Sequence, residues 1–269
     1  MKKISLISLF ILSCFISMAQ ADPAKKPESK ADKKEAKRQH INAMIRQAEE
    51  GVLVFSKQSI FGLQMRSNGY GGFFEFGKMK TNRKTSIYRL DITEIKSLKE
   101  DKLPSGGSFF GNPYIYGKQN YFYPVTLGVG QQYILGQKGN KNGVAISAVY
   151  NAGLSLGLLR PYYLEVFDQS SGETKTIKYS QADSSLFLGN TIIGGGGLGK
   201  GWKEIKMKPG VFAKTALRFD YGRFNEMVSG IEIGISAEYY MSKIPILLKQ
   251  NDKQLFIQTY ISLIFGRRK

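Results

Sequence analysis

Residues able to do chemistry are few in this chain, and their positions work against catalysis. There is one histidine, His40, and one cysteine, Cys14. A histidine base needs a nucleophile or a water held beside it. His40 sits in a basic helical stretch ahead of every segment that could offer such a partner, so it is expected to be an ordinary exposed side chain. One histidine without a second histidine or a mature cysteine is also too little for zinc. The run Gly194-Gly195-Gly196-Gly197-Leu198-Gly199-Lys200 imitates a phosphate-binding loop, but Gly201 stands where the metal-contacting hydroxyl belongs. A flexible external loop is expected there. No catalytic residue, cofactor or metal site is expected.

Two groups of polar residues remain. The first is Arg66, Glu75, Arg89, Asp91, Lys214, Arg218, Asp220, Glu232 and Glu238, four cations against five anions. Charges that nearly cancel could form an ion or proton path, or they could pair with one another and fill an interior. The second is Trp202 with Lys200, Lys203, Lys206 and Lys208. An indole beside ammonium groups suits a membrane interface, where it could meet lipid phosphates.

The elements that must carry these residues follow from a period of two. Val211, Ala213, Thr215, Leu217, Phe219 and Tyr221 alternate with Lys214, Arg218 and Asp220. Ile231, Ile233, Ile235, Ala237 and Tyr239 alternate with Gly230, Glu232, Gly234, Ser236 and Glu238. Leu255, Ile257, Thr259, Ile261, Leu263 and Phe265 repeat the pattern. Successive side chains of a strand point to opposite faces, so these are β-strands of roughly nine to eleven residues, long enough to cross a bilayer when tilted.

Earlier segments repeat the alternation. Phe61, Leu63 and Met65 oppose Gln64 and Arg66; Phe74 and Phe76 flank Glu75; Tyr88, Leu90 and Ile92 alternate with Arg89 and Asp91. Tyr121 to Val129 and Val144 to Leu156 complete the set. Asn68-Gly69 reads as a tight hairpin with positive φ at both residues. The pattern predicts an all-β fold, a closed up-and-down antiparallel barrel of eight strands. Ten is the alternative if Tyr162–Phe167 and Thr174–Tyr179 span the membrane instead of pairing outside it. With even positions kept inside through the turn at 221–226, Lys214 and Arg218 are expected within direct or diagonal cross-strand reach of Glu232.

A soluble lipid-carrying barrel also alternates, with its oily face inward. Three features turn this one inside out. The polar face is small (Gly128, Gly130, Gly153, Gly230, Gly234, Ser147, Ser155), which fits a narrow lumen. Aromatics recur at the ends of the oily runs, as in interfacial girdles. The chain ends on a strand with Leu263 and Phe265 outward, like a carboxy-terminal signal for outer-membrane assembly. Eight strands leave an interior only wide enough for side chains, so a salt-bridged plug is expected.

Residues 1–21 read as a secretory signal: Lys2 and Lys3, an apolar core from Ile4 to Ile16, and Ala19-Gln20-Ala21 before a mature start at Asp22. A lipoprotein signal on Cys14 is the alternative. Losing the signal lysines takes the formal charge from +18 to +16 (18 − 2). For an exported chain the counter-charges are lipid phosphates or an acidic partner, and nucleic acid is not expected. Residues 22–50 form a basic periplasmic linker and helix, and 51–269 the barrel, with a large external insertion at about 159–208.

The signal, the segment Pro209–Asp220 and the ending Ser262-Leu263-Ile264-Phe265-Gly266-Arg267-Arg268-Lys269 resemble the outer-membrane β-barrel domain proteins of Bacteroidota. The resemblance implies outer-membrane location and barrel fold, and carries no shared catalytic residue. A non-enzymatic structural, anchoring or recognition protein is expected. The alternatives are an accessory subunit of an outer-membrane assembly or secretion complex, and a small-solute pore.

Overall fold

The computed structural model describes residues 55–104, 112–139, 142–189, 191–197, 199–222, 226–248 and 250–269, with Lys34, Glu35, Arg38, Gln39 and Asn42. Those five are helical and exposed, and belong to a unit of their own that ends at Met44. The signal segment, His40 and Gly51 lie outside the described residues.

Among the described residues there are thirteen strands, the long ones following from the alternating segments. In chain order they are β1 (Lys57–Arg66), β2 (Gly69–Thr81), β3 (Lys84–Ile95), β4 (Lys102–Leu103), β5 (Tyr114–Ile115), β6 (Asn120–Gly136) and β7 (Ala145–Pro161). Then come β8 (Tyr163–Asp168), β9 (Glu173–Lys178), β10 (Ile192–Gly195), β11 (Lys206–Asp220), β12 (Met227–Ile244) and β13 (Lys253–Arg268). Eight of them, β1, β2, β3, β6, β7, β11, β12 and β13, close into a ring in which each pairs antiparallel with its neighbours in sequence and β13 returns to β1. Closure leaves no strand edge where the eight strands overlap, which a barrel immersed in hydrocarbon requires.

β8, β9 and β10 form a separate three-stranded sheet in the order β10-β8-β9, so the ring has eight strands and not ten. The insertion between β7 and β11 spans 162–205, a little shorter than its expected bounds. The glycine run is not a free loop throughout: Gly194 and Gly195 pair with Glu165 and Leu164. A Cβ on Gly196 would come within 2.7 Å of the Tyr163 side chain, so close packing accounts for the missing side chain.

The two long connections fall at one end of the barrel, which also holds the two-residue Ser67-Asn68. Asn82-Arg83, 137–144 and 221–226 lie at the turn end, with the start of β1 and the end of β13. Ser67-Asn68, 96–119, the insertion and 245–252 lie at the loop end. The hairpin at Asn68 differs from expectation. Its two-residue loop is Ser67-Asn68, and neither Asn68 nor Gly69 has positive φ. Gly69 already belongs to β2, where a Cβ would stand 1.8 Å from the Glu94 carbonyl oxygen. Close approach of β3, not turn geometry, requires the glycine.

The polarity of the wall is that of a membrane-spanning barrel. Leu63, Leu127, Leu154 and Ile257 are 55–70% exposed, while Glu75, Asp91, Arg218 and Glu232 are 0% exposed. Water would reverse that distribution; hydrocarbon outside the wall explains it. The outward run on β13 from Leu255 to Phe265 covers about 25 Å of height when tilted, the thickness of an apolar band. At the loop end the lumen is closed by an apolar cluster that includes Phe122, Tyr240 and Phe256, with Phe122 and Tyr240 edge-to-face at 5.2 Å.

Candidate functional site

All nine charged residues singled out from the alternation point into the lumen and are at most 7% exposed. β13 adds a tenth, Arg268, so five cations borne on the strands (Arg66, Arg89, Lys214, Arg218, Arg268) meet five anions (Glu75, Asp91, Asp220, Glu232, Glu238), and the buried Lys138 of the turn end stands beside Asp220 as a further cation. Pairing matters here because an unpaired charge sealed from water costs several kcal/mol or more.

Glu232 of β12 is the centre. It accepts from Arg89 Nη1 at 2.7 Å, from Arg218 Nη2 and Nε at 2.6 and 2.9 Å, and from the Tyr260 hydroxyl at 3.1 Å. Arg218 also donates to both oxygens of Glu75, at 2.8 and 2.7 Å. The Arg89 guanidinium reaches Asp91 through Nε at 3.3 Å and stacks 3.4 Å above the Phe73 ring, a cation–π contact away from water. Toward the loop end, Arg66 Nη1 lies 2.6 Å from Glu238, which also accepts from Gln258 and Tyr240. At the turn end Arg268 Nη2 lies 2.7 Å from Asp220, with Lys138 Nζ 3.7 Å from the same carboxylate.

Arg218 and Glu232 face each other directly in the β11–β12 ladder. Lys214 departs from the expected pairing. It faces Ser236, four positions from Glu232, and its ammonium crosses the lumen to Asp91 at 2.7 Å. Barrel strands tilt, so a row of hydrogen-bonded residues climbs around the wall. The row through Lys214, Asn151 and Gly130 meets β3 at Ile87, whereas Asp91 lies four residues further along. Alternation assigns a side to each residue; the partner across the lumen depends on this stagger. Arg268 shares the inward parity of Ile264 and could have been found by continuing the alternation to the end of β13.

The basic loop face divides. Trp202 is half-exposed and stacks on Tyr123 with ring centres 6.1 Å apart; the buried Arg160 guanidinium lies 4.6 Å from the indole and 4.3 Å from Tyr121. Lys200 donates to the Thr176 hydroxyl at 2.8 Å and lies 3.7 Å from Glu165. Lys203 is exposed. Lys206 and Lys208 border a different space, a cleft of 270 Å³ with Lys178, Lys243, Glu204 and Asp252, which Trp202 does not line.

Outside the wall, Lys178 and the Tyr163 hydroxyl hold the Glu204 carboxyl below the usual range. Lys175 and the Ser170 hydroxyl hold Asp168 well below it. Burial pushes the Tyr162 phenol up to about 12. Among the described residues, no three His, Cys, Asp or Glu side chains gather as metal ligands.

The geometry defines a transmembrane β-barrel with an ion-paired interior and a folded loop end. No protein-family model matches the chain, and no curated protein does. Solved structures similar to it are outer-membrane barrels. The N-terminal barrel domain of Pseudomonas aeruginosa OprF is 10% identical, with 79% of this chain and 98% of that one covered and a TM-score of 0.36. Neisserial surface protein A is 10% identical, covering 80% and 97%, with a TM-score of 0.39. Ail of Yersinia pestis, solved alone and with the heparin analogue sucrose octasulfate, is 10% identical, covering 80% and 99%, with a TM-score of 0.34. Superpositions this loose add nothing to what the closed ring and its polarity establish.

Proposed function

We propose that this protein is a non-enzymatic outer-membrane barrel of the Bacteroidota kind, acting as a structural, anchoring or recognition protein through its ends and not through its lumen. The observation that carries the reading is the set of ten inward charges of the strands, with Glu75, Asp91, Arg218 and Glu232 wholly inaccessible to water. A conducting path needs hydrated charge, and an eight-stranded wall filled in this way has none at that level. The long connections at the loop end then carry recognition outside the cell, and the basic amino-terminal segment lies in the periplasm. Trp202, with Lys203 beside it, is suited to lipopolysaccharide phosphates at the outer interface.

Reconstitution of the purified protein into planar lipid bilayers tests the sealed lumen. No stepwise conductance is expected across a range of voltages. Reproducible single-channel steps, present with the protein and absent with detergent alone, would overturn the reading.

A further inference from the structure

The wall is not equally tall all the way round. The β1–β13 ladder stops at Arg66 opposite Tyr260, followed by one bond from the Ser67 N–H to the Thr259 carbonyl. β13 extends past that level from Gln258 back to Lys253, and its other side is paired with β12 as far as Lys253 opposite Ile244. Six residues of strand are about 20 Å along the tilted wall. The space over the short β1–β2 hairpin is partly filled by the start of the connection after β3 and by Gln250, near the end of the connection before β13. The Lys96 N–H donates to the Asn68 carbonyl at 2.7 Å, and the Ser97 hydroxyl to Gln250 Oε1 at 2.6 Å. Between them lies a cleft of 270 Å³.

Its lining is amphiphilic. Leu255 and Ile257, outward on β13, and Leu98, 82% exposed, form an apolar wall. Lys96, Lys99 and Lys253 stand around it, against Asp252 alone. Lys96 is 3.9 Å from Glu94 and lies over the Tyr70 ring at 4.6 Å; Lys99 and Lys253 are exposed and have no ion pair among the described residues. The height is marked by aromatics. Leu255 faces Tyr239 in the ladder, and Tyr70 stands beside Lys96, both outward and half-exposed at the loop end. Exposed aromatics of a barrel gather where headgroups meet acyl chains.

We propose that this lateral cleft binds an anionic lipid of the leaflet around the loop end, its acyl chain against Leu98, Leu255 and Ile257 and its phosphate among Lys96, Lys99 and Lys253. The site rests on the membrane-spanning reading of the barrel and is separate from the Trp202 region. Charge complementarity selects the occupant. A second copy would bring the same three lysines into contact with themselves, and a zwitterionic lipid would leave their charge unanswered.

The test uses the full chain in detergent, offered dioleoylphosphatidylglycerol, dioleoylphosphatidylcholine or inorganic phosphate, with retained mass read by native mass spectrometry. One phosphatidylglycerol per chain is expected, at roughly tenfold or more over phosphatidylcholine, with phosphate neither bound nor competing. The K96E/K99E/K253E variant should fall to the phosphatidylcholine level. L98D, which keeps every lysine, should also lose retention. Each variant is first checked for the heat-dependent gel shift of a closed barrel, and L98D alone decides if the triple variant does not fold. Equal retention of the two lipids, competition by phosphate, unchanged retention in the variants, or a mass of two chains would each overturn the proposal. Insertion of the unaltered protein into vesicles is measured in parallel: its loss would count against the barrel reading, whereas its persistence with no lipid preference would count against the cleft alone.

Discussion

Replacing Glu232 by leucine probes the sealed interior most directly, because two arginines and a tyrosine converge on that one carboxylate. Removing it leaves four anions facing the five cations borne on the strands. Breaking a buried pair from one side costs about 3–5 kcal/mol, since the other charge is left without its counterpart. Here the lower part of that range applies to the arginines. Arg218 keeps both oxygens of Glu75, and Arg89 keeps Asp91 at 3.3 Å and Glu75 at 3.6 Å. The Tyr260 hydroxyl loses its acceptor, which adds about 1–3 kcal/mol if nothing replaces it. A total near 4 kcal/mol corresponds to a fall of roughly 1–2 M in the urea midpoint for a slope of about 2–3 kcal/mol per molar. Urea titration in detergent micelles, followed by far-ultraviolet circular dichroism and by the heat-dependent gel shift, measures it. The R218M/E232L double variant removes one cation together with its facing anion, so its loss should be clearly smaller than the sum of the two single losses. An unchanged midpoint for E232L, or losses that simply add, would mean that these groups are hydrated and not coupled, and the sealed-lumen argument would fail.

Other consequences follow from the wall and the loop end. Ile233 faces out and sits between Leu217 and Ile261 in neighbouring strands. I233K should cost about 2–4 kcal/mol in lipid bilayers, and a negligible loss there would argue against hydrocarbon at that position. A Cβ on Gly153 would lie 2.2 Å from the Leu127 carbonyl oxygen and 2.6 Å from Gly128 Cα, both backbone atoms. G153A should therefore lower the unfolding midpoint by the equivalent of about 1–3 kcal/mol; an unaffected midpoint would contradict that close approach. Asp168 has its carboxyl depressed by Lys175 and Ser170, so its contribution to the β8–β9 hairpin is present above the unfolded carboxylate value of about 3.9 and is lost as pH falls through the lower folded value. Protease sensitivity of that hairpin should stay flat between about pH 8 and pH 5; a rise beginning near pH 7 would assign the hairpin's stability to another group.

Much of the barrel could be read from one physical rule, that side chains alternate across a pleated strand. The rule works best where both solvents are extreme. Ile261 against hydrocarbon and Ser262 against a packed lumen leave no doubt about phase, and the same holds from Gly210 to Asp220. It failed at places where a residue has a reason other than its own conformation. Asn68-Gly69 has the composition of a turn with positive φ, yet the glycine answers to a carbonyl on β3, a strand about twenty-five residues away in sequence. The four glycines from 194 to 197 look like a loop, and the first two are in a strand because Glu165 and Leu164 pair with them. Contacts between distant segments decide such positions, and period-two alternation says nothing of them.

The lumen network has the same limit. Parity placed Lys214 and Asp91 on the inner face, but which carboxylate Lys214 would meet depended on how far the hydrogen-bonded rows climb around a closed wall. That climb is a property of the closed ring, absent from any single hairpin. A local rule pairs Lys214 with β12, while the ring hands it to β3 across the axis. Arg268 makes the complementary case. Read as part of a soluble basic tail, it is one more surface charge; carried two residues past Gly266 on the inward parity, it supplies the fifth cation and gives Asp220 a partner. The inward charges of the strands are therefore complete only when the alternation is followed to the end of β13, and a low-dielectric lumen penalises each charge that is left without a partner.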